Sequence, residues 1–441
     1  MRSRPVVYDV SRLISRVFDR TPNGIDRVDF ALANHFVDPA VSNRSGMMIT
    51  AIGPRVLEPR AAREALANIR RHWGEDEAPE TDAHFLEVAA AIDGGPGAMR
   101  RVSKRRKGQY ADAVAWIGRH GFPVGRSPRA FLSDGGVYLN VSQFLVEFEW
   151  PFRWTRGRPD VDCVFFVHDL LPIEAPEYFR PSERPRHLRR MATIARLARA
   201  VIVSTEVVRE GVRRHMSGLG RRDMPILVAP PPPDPIFLEP PCGKVAVARH
   251  PYFVACGTIE PRKNHLLLLN VWRDIVARLG QEAPKLVLVG ERGWENEHVL
   301  DLLERCPSLQ GHVIEASGLP TPSVKRLLLG ARAVLLPTFA EGYGLPLVEA
   351  LALGAPVIAS DIPVFHEVGK GAALTLDPID GPAWRDAICA FANADSTPRR
   401  ERLELSGRWP RPDPADFFAA IEEFLADLAR PAHAIGRARA S

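Results

Sequence analysis

The sequence predicts an α/β protein of two doubly wound domains, each built on a mainly parallel sheet. Three observations predict it. The chain has 441 residues, more than one ordinary hydrophobic core organises. Residues 230–241, PPPPDPIFLEPP, carry seven prolines in twelve positions. Such a segment is stiff and extended and continues neither a helix nor a central strand. The domain boundary is therefore placed there, giving a first domain over 1–240 and a second over 241–410. Finally, short apolar runs alternate with helical patterns, which implies a parallel sheet covered on both faces, with ligands at the carboxyl ends of its strands.

The first domain opens with VVYDVSRLI (6–14), read as a strand and its exit. RTPNG (20–24) is a glycine turn, followed by an amphipathic helix to Phe36. VYLNVS (137–142), DCVFFVHD (162–169) and AVIVST (200–205) are further strands, and 56–130 reads as a mostly helical, charged insertion. The second domain alternates more cleanly. PYFVACG (251–257) is a buried strand, Asn264 caps the next helix, and Gly280 ends it. KLVLVG (285–290), HVIEAS (312–317), AVLLPTF (333–339) and 356–360 are strands. Helices fall at 296–305, at 321–329 and at 346–353. The stretch 414–430 is an amphipathic helix within a third segment, 411–441, that ends in a basic tail.

Composition narrows the function. Apolar residues are 46% and charged residues 25%, as in an ordinary globular protein. No run of 18 apolar residues offers a membrane span. Five scattered cysteines, none in a C-x-x-C pair, argue against disulfide or zinc frameworks and suit a reducing cytoplasm. The net charge of +5 has a local source in 99–107, MRRVSKRRK, with six basic side chains. That stretch is a candidate contact for anionic lipid at the inner membrane face, and a solvated loop is the equal alternative. It lacks the aromatic interleaving of a nucleic-acid surface.

Four motifs carry the chemistry. In FAEGYGLPLVEALALGAPVIASD (339–361) a strand ends, glycines make a tight loop, and Pro346 opens a helix. The amides of Gly342, Tyr343 and Gly344 then lie near a positive helix N-terminus. Glu341 at the helix mouth and Glu349 one turn in can hold hydroxyls at two points of an extended ligand. CGTIEPRKNH (256–265) follows a strand, and its basic pair Arg262 and Lys263 suits a diphosphate. VHDLLPIEAPEYF (167–179) puts His168 and Asp169 at a strand end, and RTPNGIDRV (20–28) supplies Asn23 and Gly24. Taken singly, the last two are an ordinary packing histidine and an ordinary turn.

Together these segments resemble the family-4 retaining glycosyltransferases, whose fold is of the GT-B type: two Rossmann-like domains facing across a cleft. The resemblance is strong over 250–380, moderate over 5–36 and 135–235, and absent over 56–130. It implies that Glu341 meets the donor sugar and Glu349 the ribose. The amides of Gly342, Tyr343, Gly344 and Leu345 would meet sugar hydroxyls and phosphate. The 256–265 turn resembles the G-T-x-E-P-R-K-N turn of bacterial members, which makes Lys263 the phosphate lysine and places Gly257 and Thr258 at the donor. Relatives carry an arginine where this chain has Thr258, and Arg262 is the candidate substitute. His168 would lie beside the reacting carbon with Asp169 as its acceptor-side neighbour, and Asn23 and Gly24 would face the diphosphate across the cleft.

The resemblance further implies a retaining hexosyl transfer from a nucleotide diphosphate sugar, first GDP-mannose, with a uridine-linked or rhamnose donor as alternative. The acceptor would be a glycan or lipid-linked hydroxyl in bacterial surface polysaccharide or glycolipid synthesis. No Asp-x-Asp motif ends a strand, so neither metal nor cofactor is expected, and no nucleic-acid partner. The domains should close over the donor about the proline linker. The rival from another class is a non-catalytic sugar-nucleotide or glycan-binding protein of the same fold. A dinucleotide oxidoreductase fits poorly without a G-x-G-x-x-G turn.

Overall fold

A computed structural model of the protein describes residues 4–428, apart from 17–20, 39, 42, 51–52, 75–77, 96–124 and 241–246. The basic stretch 99–107 and the tail 431–441 therefore lie outside the described residues. The first sheet contains β1 (Val6–Asp9), β2 (Arg44–Thr50), β3 (Gly53–Val56), β4 (Gly136–Asn140), β5 (Val161–Val167), β6 (Ala198–Val203) and β7 (Ile226–Val228). Their order is β3-β2-β1-β4-β5-β6-β7, and only the β2–β3 hairpin is antiparallel. The second sheet contains β8 (Tyr252–Cys256), β9 (Lys285–Val289), β10 (Val313–Ala316), β11 (Val334–Leu336), β12 (Val357–Ser360) and β13 (Leu374–Leu376). It is wholly parallel, in the order β10-β9-β8-β11-β12-β13.

Central strands bury both faces, which is why they read as continuous apolar runs. β5 is buried along its whole length, and Phe165, Phe166 and Val164 are all inaccessible. Each such strand ends in a polar or glycine turn, so the turns gather at one edge of each sheet. Ser11 and Asp9 fix the first of these turns: Asp9 accepts from the Ser11 amide at 2.9 Å and from Tyr138 Oη at 2.6 Å. The exit of β1 is thereby tied to β4, and the residues after it form a short helix, Ser11–Ser15, rather than more strand.

Three expectations need correction. Asn264 does sit at the N-cap of the His265–Leu279 helix, but in a left-handed conformation and without capping it. Its amide instead donates to the carbonyls of Pro337 (3.0 Å) and Pro378 (2.8 Å), pinning the turn to the end of the neighbouring strand β11. The proline segment is not extended throughout. Asp234 caps a helical turn, Pro235–Leu238, whose Phe237 is buried in the second core. The extended stretch is thus short, between Ala229, buried in the first core, and Asp234.

The third correction concerns the insertion. Its helix Ala83–Ile92 belongs to the second core: Phe85, Val88, Ala91 and Ile92 pack with Ala316, Leu319 and Leu327. The C-terminal helix Pro414–Asp427 crosses the other way. Its Phe417, Ile421 and Leu425 are buried in the first core, and Glu422 accepts from Arg44 at 2.8 Å. Two segments therefore strap each domain to the other. A further link is polar: Glu367 of the second domain accepts from the amides of Glu206 (2.7 Å) and Val207 (3.1 Å), at the N-terminus of a first-domain helix. Among the described residues no helix is long and apolar enough to cross a membrane.

Candidate functional site

The carboxyl ends of the two sheets face each other across a cavity of about 590 Å³. All fourteen residues singled out in the sequence line it: Asn23, Gly24, His168, Asp169, Gly257, Thr258, Arg262, Lys263, Glu341, Gly342, Tyr343, Gly344, Leu345 and Glu349. The chain folds back over some 320 positions to bring them together, and strand-end geometry is what makes this possible.

The loop after β11 holds the cavity's second-domain wall. Gly344 adopts a left-handed φ of 89°, and a Cβ there would sit 2.6 Å from the Phe365 ring, so only glycine fits. Gly342 makes the interdomain contact itself. A Cβ on it would lie 2.5 Å from the His168 carbonyl oxygen and 2.8 Å from Asp169 Cβ. Its own carbonyl accepts from Thr205 Oγ1 at 3.2 Å. Tyr343 reaches the linker, donating to the Pro231 carbonyl at 2.7 Å. Beyond the loop, Tyr178 stacks on Phe339 with ring centroids 5.3 Å apart, again joining the two domains.

Beside this loop lies a compact charge cluster. Arg262 Nε donates to Glu260 at 2.6 Å and its Nη1 to Glu341 at 2.8 Å. Lys263 Nζ donates to the other Glu341 oxygen. The turn that carries both cations is fastened to the β11 exit, because the Arg262 carbonyl accepts from the Phe339 amide and Thr338 Oγ1, each at 2.8 Å. Burial disfavours the Glu341 carboxylate, but Arg262 and Lys263 more than offset this and hold its pKa down to about 2. Burial and the Arg262 charge lower the Lys263 ammonium, with Glu341 opposing them. Glu260 is shifted upward by burial despite its arginine. Two carboxylates thus pair with two cations, which leaves no buried charge without a partner. The sequence assigned Glu341 to ligand hydroxyls and ranked Arg262 behind Lys263; the structure binds both cations to that one carboxylate.

His168 is half-buried at the cleft wall. Its Nε2 donates to the Val141 carbonyl at 2.9 Å, since a carbonyl only accepts, and this leaves Nδ1 as the acceptor of the neutral ring. Burial drives its pKa to about 4, against the opposing Asp169 charge, so the ring is neutral at physiological pH. Asp169 does not bond the ring; its Oδ1 accepts from the Leu171 amide at 3.0 Å and shapes the turn after β5.

Across the cavity, Asn23 and Gly24 start the Gly24–Phe36 helix through a reciprocal capping box with Asp26. Asp26 also holds Arg12 Nε at 2.9 Å and Arg16 Nε at 2.7 Å. A Cβ at Gly24 would touch Leu345 at 3.4 Å, so this turn abuts the donor-side loop.

Sequence reasoning missed Arg27. Its Nε lies 3.8 Å from Glu349 Oε1, and its Nη1 is buried without a hydrogen-bond partner. An arginine three positions after a Pro-Asn-Gly turn is the signal that was present. Glu349 is only 6% exposed. Burial raises its carboxyl from 4.5 to about 7, with Arg27 opposing the rise and Asp234 adding to it.

The raised Glu349 pKa has a thermodynamic consequence. Between its unfolded and folded values, 4.5 and about 7, the folded chain keeps a proton that the unfolded chain releases. Stability therefore falls as pH rises through that window, by about 3 kcal/mol at most. Glu349→Gln removes the dependence, so the variant gains stability relative to the parent between about pH 5 and pH 8. Urea denaturation of both proteins across that range tests this, and parallel curves would contradict a buried, proton-holding Glu349.

Among the described residues no group of three or more His, Cys, Asp or Glu side chains is placed to hold a metal ion.

Fold and site together define a class, the GT-B glycosyltransferase fold. Residues 244–395, within the second domain, match the family model of the glycosyl transferases group 1. The chain is 29% identical over 254 residues to O-antigen chain mannosyltransferase B of Escherichia coli, covering 56% of this chain and 64% of that protein. It is 34% identical over 142 residues to O-antigen chain mannosyltransferase RfbU of Salmonella typhimurium, covering 31% of this chain and 37% of the relative. The matches thus span less than two thirds of either relative. Two solved structures share the fold over 96% of this chain. They are Anabaena Alr3699/HepE in complex with UDP and glucose (TM-score 0.60, 14% identity, 99% of that chain) and sucrose-phosphate synthase from Thermosynechococcus elongatus (TM-score 0.55, 15% identity, 99% of that chain).

Proposed function

We propose that this chain is a retaining hexosyltransferase, moving a sugar from a nucleoside diphosphate to an acceptor hydroxyl in bacterial surface polysaccharide synthesis. The observation that carries the reading is the Arg262–Lys263–Glu341 cluster, set in one cavity with the Gly342 loop and His168. Mannose is the first candidate sugar, on the strength of the mannosyltransferase relatives. The acceptor is a glycan or lipid-linked hydroxyl approaching the first domain. The basic stretch 99–107 is the candidate contact with an anionic membrane surface.

In the transfer, the acceptor oxygen bonds to the anomeric carbon as the bond from that carbon to phosphate oxygen breaks. The acceptor proton passes to the departing phosphate oxygen on the same face. Lys263 and Arg262 stabilise the charge that grows on the diphosphate, and the reading needs no metal for that purpose. Glu341, held in place by both cations, accepts from sugar hydroxyls, together with the loop amides as donors. Neutral His168 offers its Nδ1 lone pair as an acceptor beside the ring. Arg27, with its orphaned Nη1, and Glu349 take the ribose end. Most of the rate enhancement in such a site is positioning and charge stabilisation.

Calorimetry of GDP, UDP and their sugars, with and without magnesium, on the parent and on Lys263→Ala tests the reading. Binding of one diphosphate that persists in EDTA and weakens in the variant is the expected result. Binding without any sugar transfer would move the protein to the non-catalytic alternative, and no binding at all would overturn the donor site.

A further inference from the structure

The helix Ala83–Ile92 is numbered within the first domain's insertion, yet it packs in the second domain's core, behind the cavity wall. Along the second sheet, β11 ends in the Glu341 loop and β8 in the Lys263 turn, while β9 and β10 continue away from them. Strand spacing puts the β10 exit about 10 Å from the β8 exit. An extended ligand with its sugar at Glu341, its diphosphate at Lys263 and its ribose at Glu349 therefore runs toward the β10 exit with its base. That exit contributes Gly318, Leu319 and Val324 to the cavity.

These lining positions are held from outside by the inserted helix. His84 Nε2 bonds the carbonyl of Ser317, the residue before Gly318, at 3.0 Å. Asp82, which caps the inserted helix, accepts from Ser323 Oγ at 2.7 Å, the residue before Val324. Both Asp82 and Ser323 are buried, Ser323 completely. At the far end of the helix, Asp93 accepts from the amides of Arg249 (2.7 Å) and His250 (2.9 Å). Leu319 and Val324 pack in the same cluster as Phe85 and Val88. One helix thus secures both sides of the turn that closes this end of the cavity.

We infer that Asp82 and His84 are positioning residues for the nucleoside end of the donor site, acting through Ser317 and Ser323 on the Gly318–Val324 wall. The inference rests on the proposed sugar-nucleotide function. It assigns to the Ala83–Ile92 helix a role in binding the nucleoside, not in transferring the sugar.

The test uses the full chain, with His84→Ala, Ser323→Ala and the conservative His84→Gln. GDP and UDP probe the whole site, and inorganic pyrophosphate probes the Lys263 end alone. The expected result is a threefold to tenfold loss of nucleoside diphosphate affinity in each alanine variant, about the worth of one hydrogen bond. Pyrophosphate affinity and kcat stay near the parent's, KM for the donor rises, and His84→Gln recovers most of the loss. Equal losses for GDP and pyrophosphate, or none for either, would overturn the inference. Hydrogen exchange of the same variants gives an answer that needs no ligand. Faster exchange over 317–324 with unchanged exchange over 257–263 supports the wall, and unchanged exchange over both overturns it, even if the donor reading itself has failed.

Discussion

Replacing Lys263 with alanine is expected to lower kcat/KM by about 10²–10³-fold, or about 3–4 kcal/mol of transition-state stabilisation. The size follows from where the ammonium sits. Its side chain is 13% exposed and pairs with a buried carboxylate, so water screens it little. Charge arriving on a leaving diphosphate is felt there far more than at a surface lysine. Arg262 does not fill the gap, because its fork is already shared between Glu260 and Glu341.

Stability separates the members of the cluster. In Lys263→Ala, Glu341 keeps Arg262 as its partner. The fold should lose little. Glu341→Ala is different, because it leaves two adjacent buried cations with one carboxylate between them. Breaking such a pair costs about 3–5 kcal/mol, so this variant loses stability as well as activity. Steady-state kinetics paired with chemical denaturation of both variants distinguishes the two roles. A Lys263→Ala enzyme within threefold of the parent would show that the cluster is structural.

How much of this was legible depended on what each residue leaves in its neighbours. Strands β8 to β12 were readable because burial on both faces demands unbroken apolar runs, and because each ends in a glycine or polar turn. β2 and β3 were not: Arg44–Thr50 starts polar, and Gly53–Val56 contains a proline, as edge hairpins tolerate. β7 and β13 are three-residue edges, half-exposed and too short for a periodicity. The site's members were legible as residue types at strand ends. Their partners were not, since the ties between Lys263 and Glu341, Arg27 and Glu349, and Asp82 and Ser323 are all long-range. The AHFLEVAAAI helix announces an apolar face but not its partner, and Ser323 lies 241 positions away. The proline segment misled because Asp234 and Pro235 form a good helix start inside a run that otherwise breaks helices.

Gly342→Val is the substitution that should most cleanly separate folding from function. Already a Cβ at this position would lie 2.5 Å from the His168 carbonyl and 2.8 Å from Asp169 Cβ, closer than real carbon contacts allow. Both obstacles belong to the first domain, and Gly342 belongs to the second, so neither core has to change. The chain can relieve the clash by parting the domains locally, at the cost of the Thr205 and Ser204 bonds to the Gly342 carbonyl. His168 then recedes from the Glu341 loop by roughly 1 Å or more, and a displacement of that size costs about 10²-fold in rate. The expected enzyme melts near the parent's temperature and binds its nucleoside diphosphate within a few-fold, because Lys263 and Arg262 stay on an intact second domain. It should turn over at least 10²-fold more slowly and scatter X-rays with a slightly larger radius of gyration. Lys263→Ala should lose diphosphate binding and keep the parent's dimensions, so the two variants fail in opposite ways. Parent-like turnover by Gly342→Val would mean that the contact between Gly342 and the His168–Asp169 turn is not part of the working state.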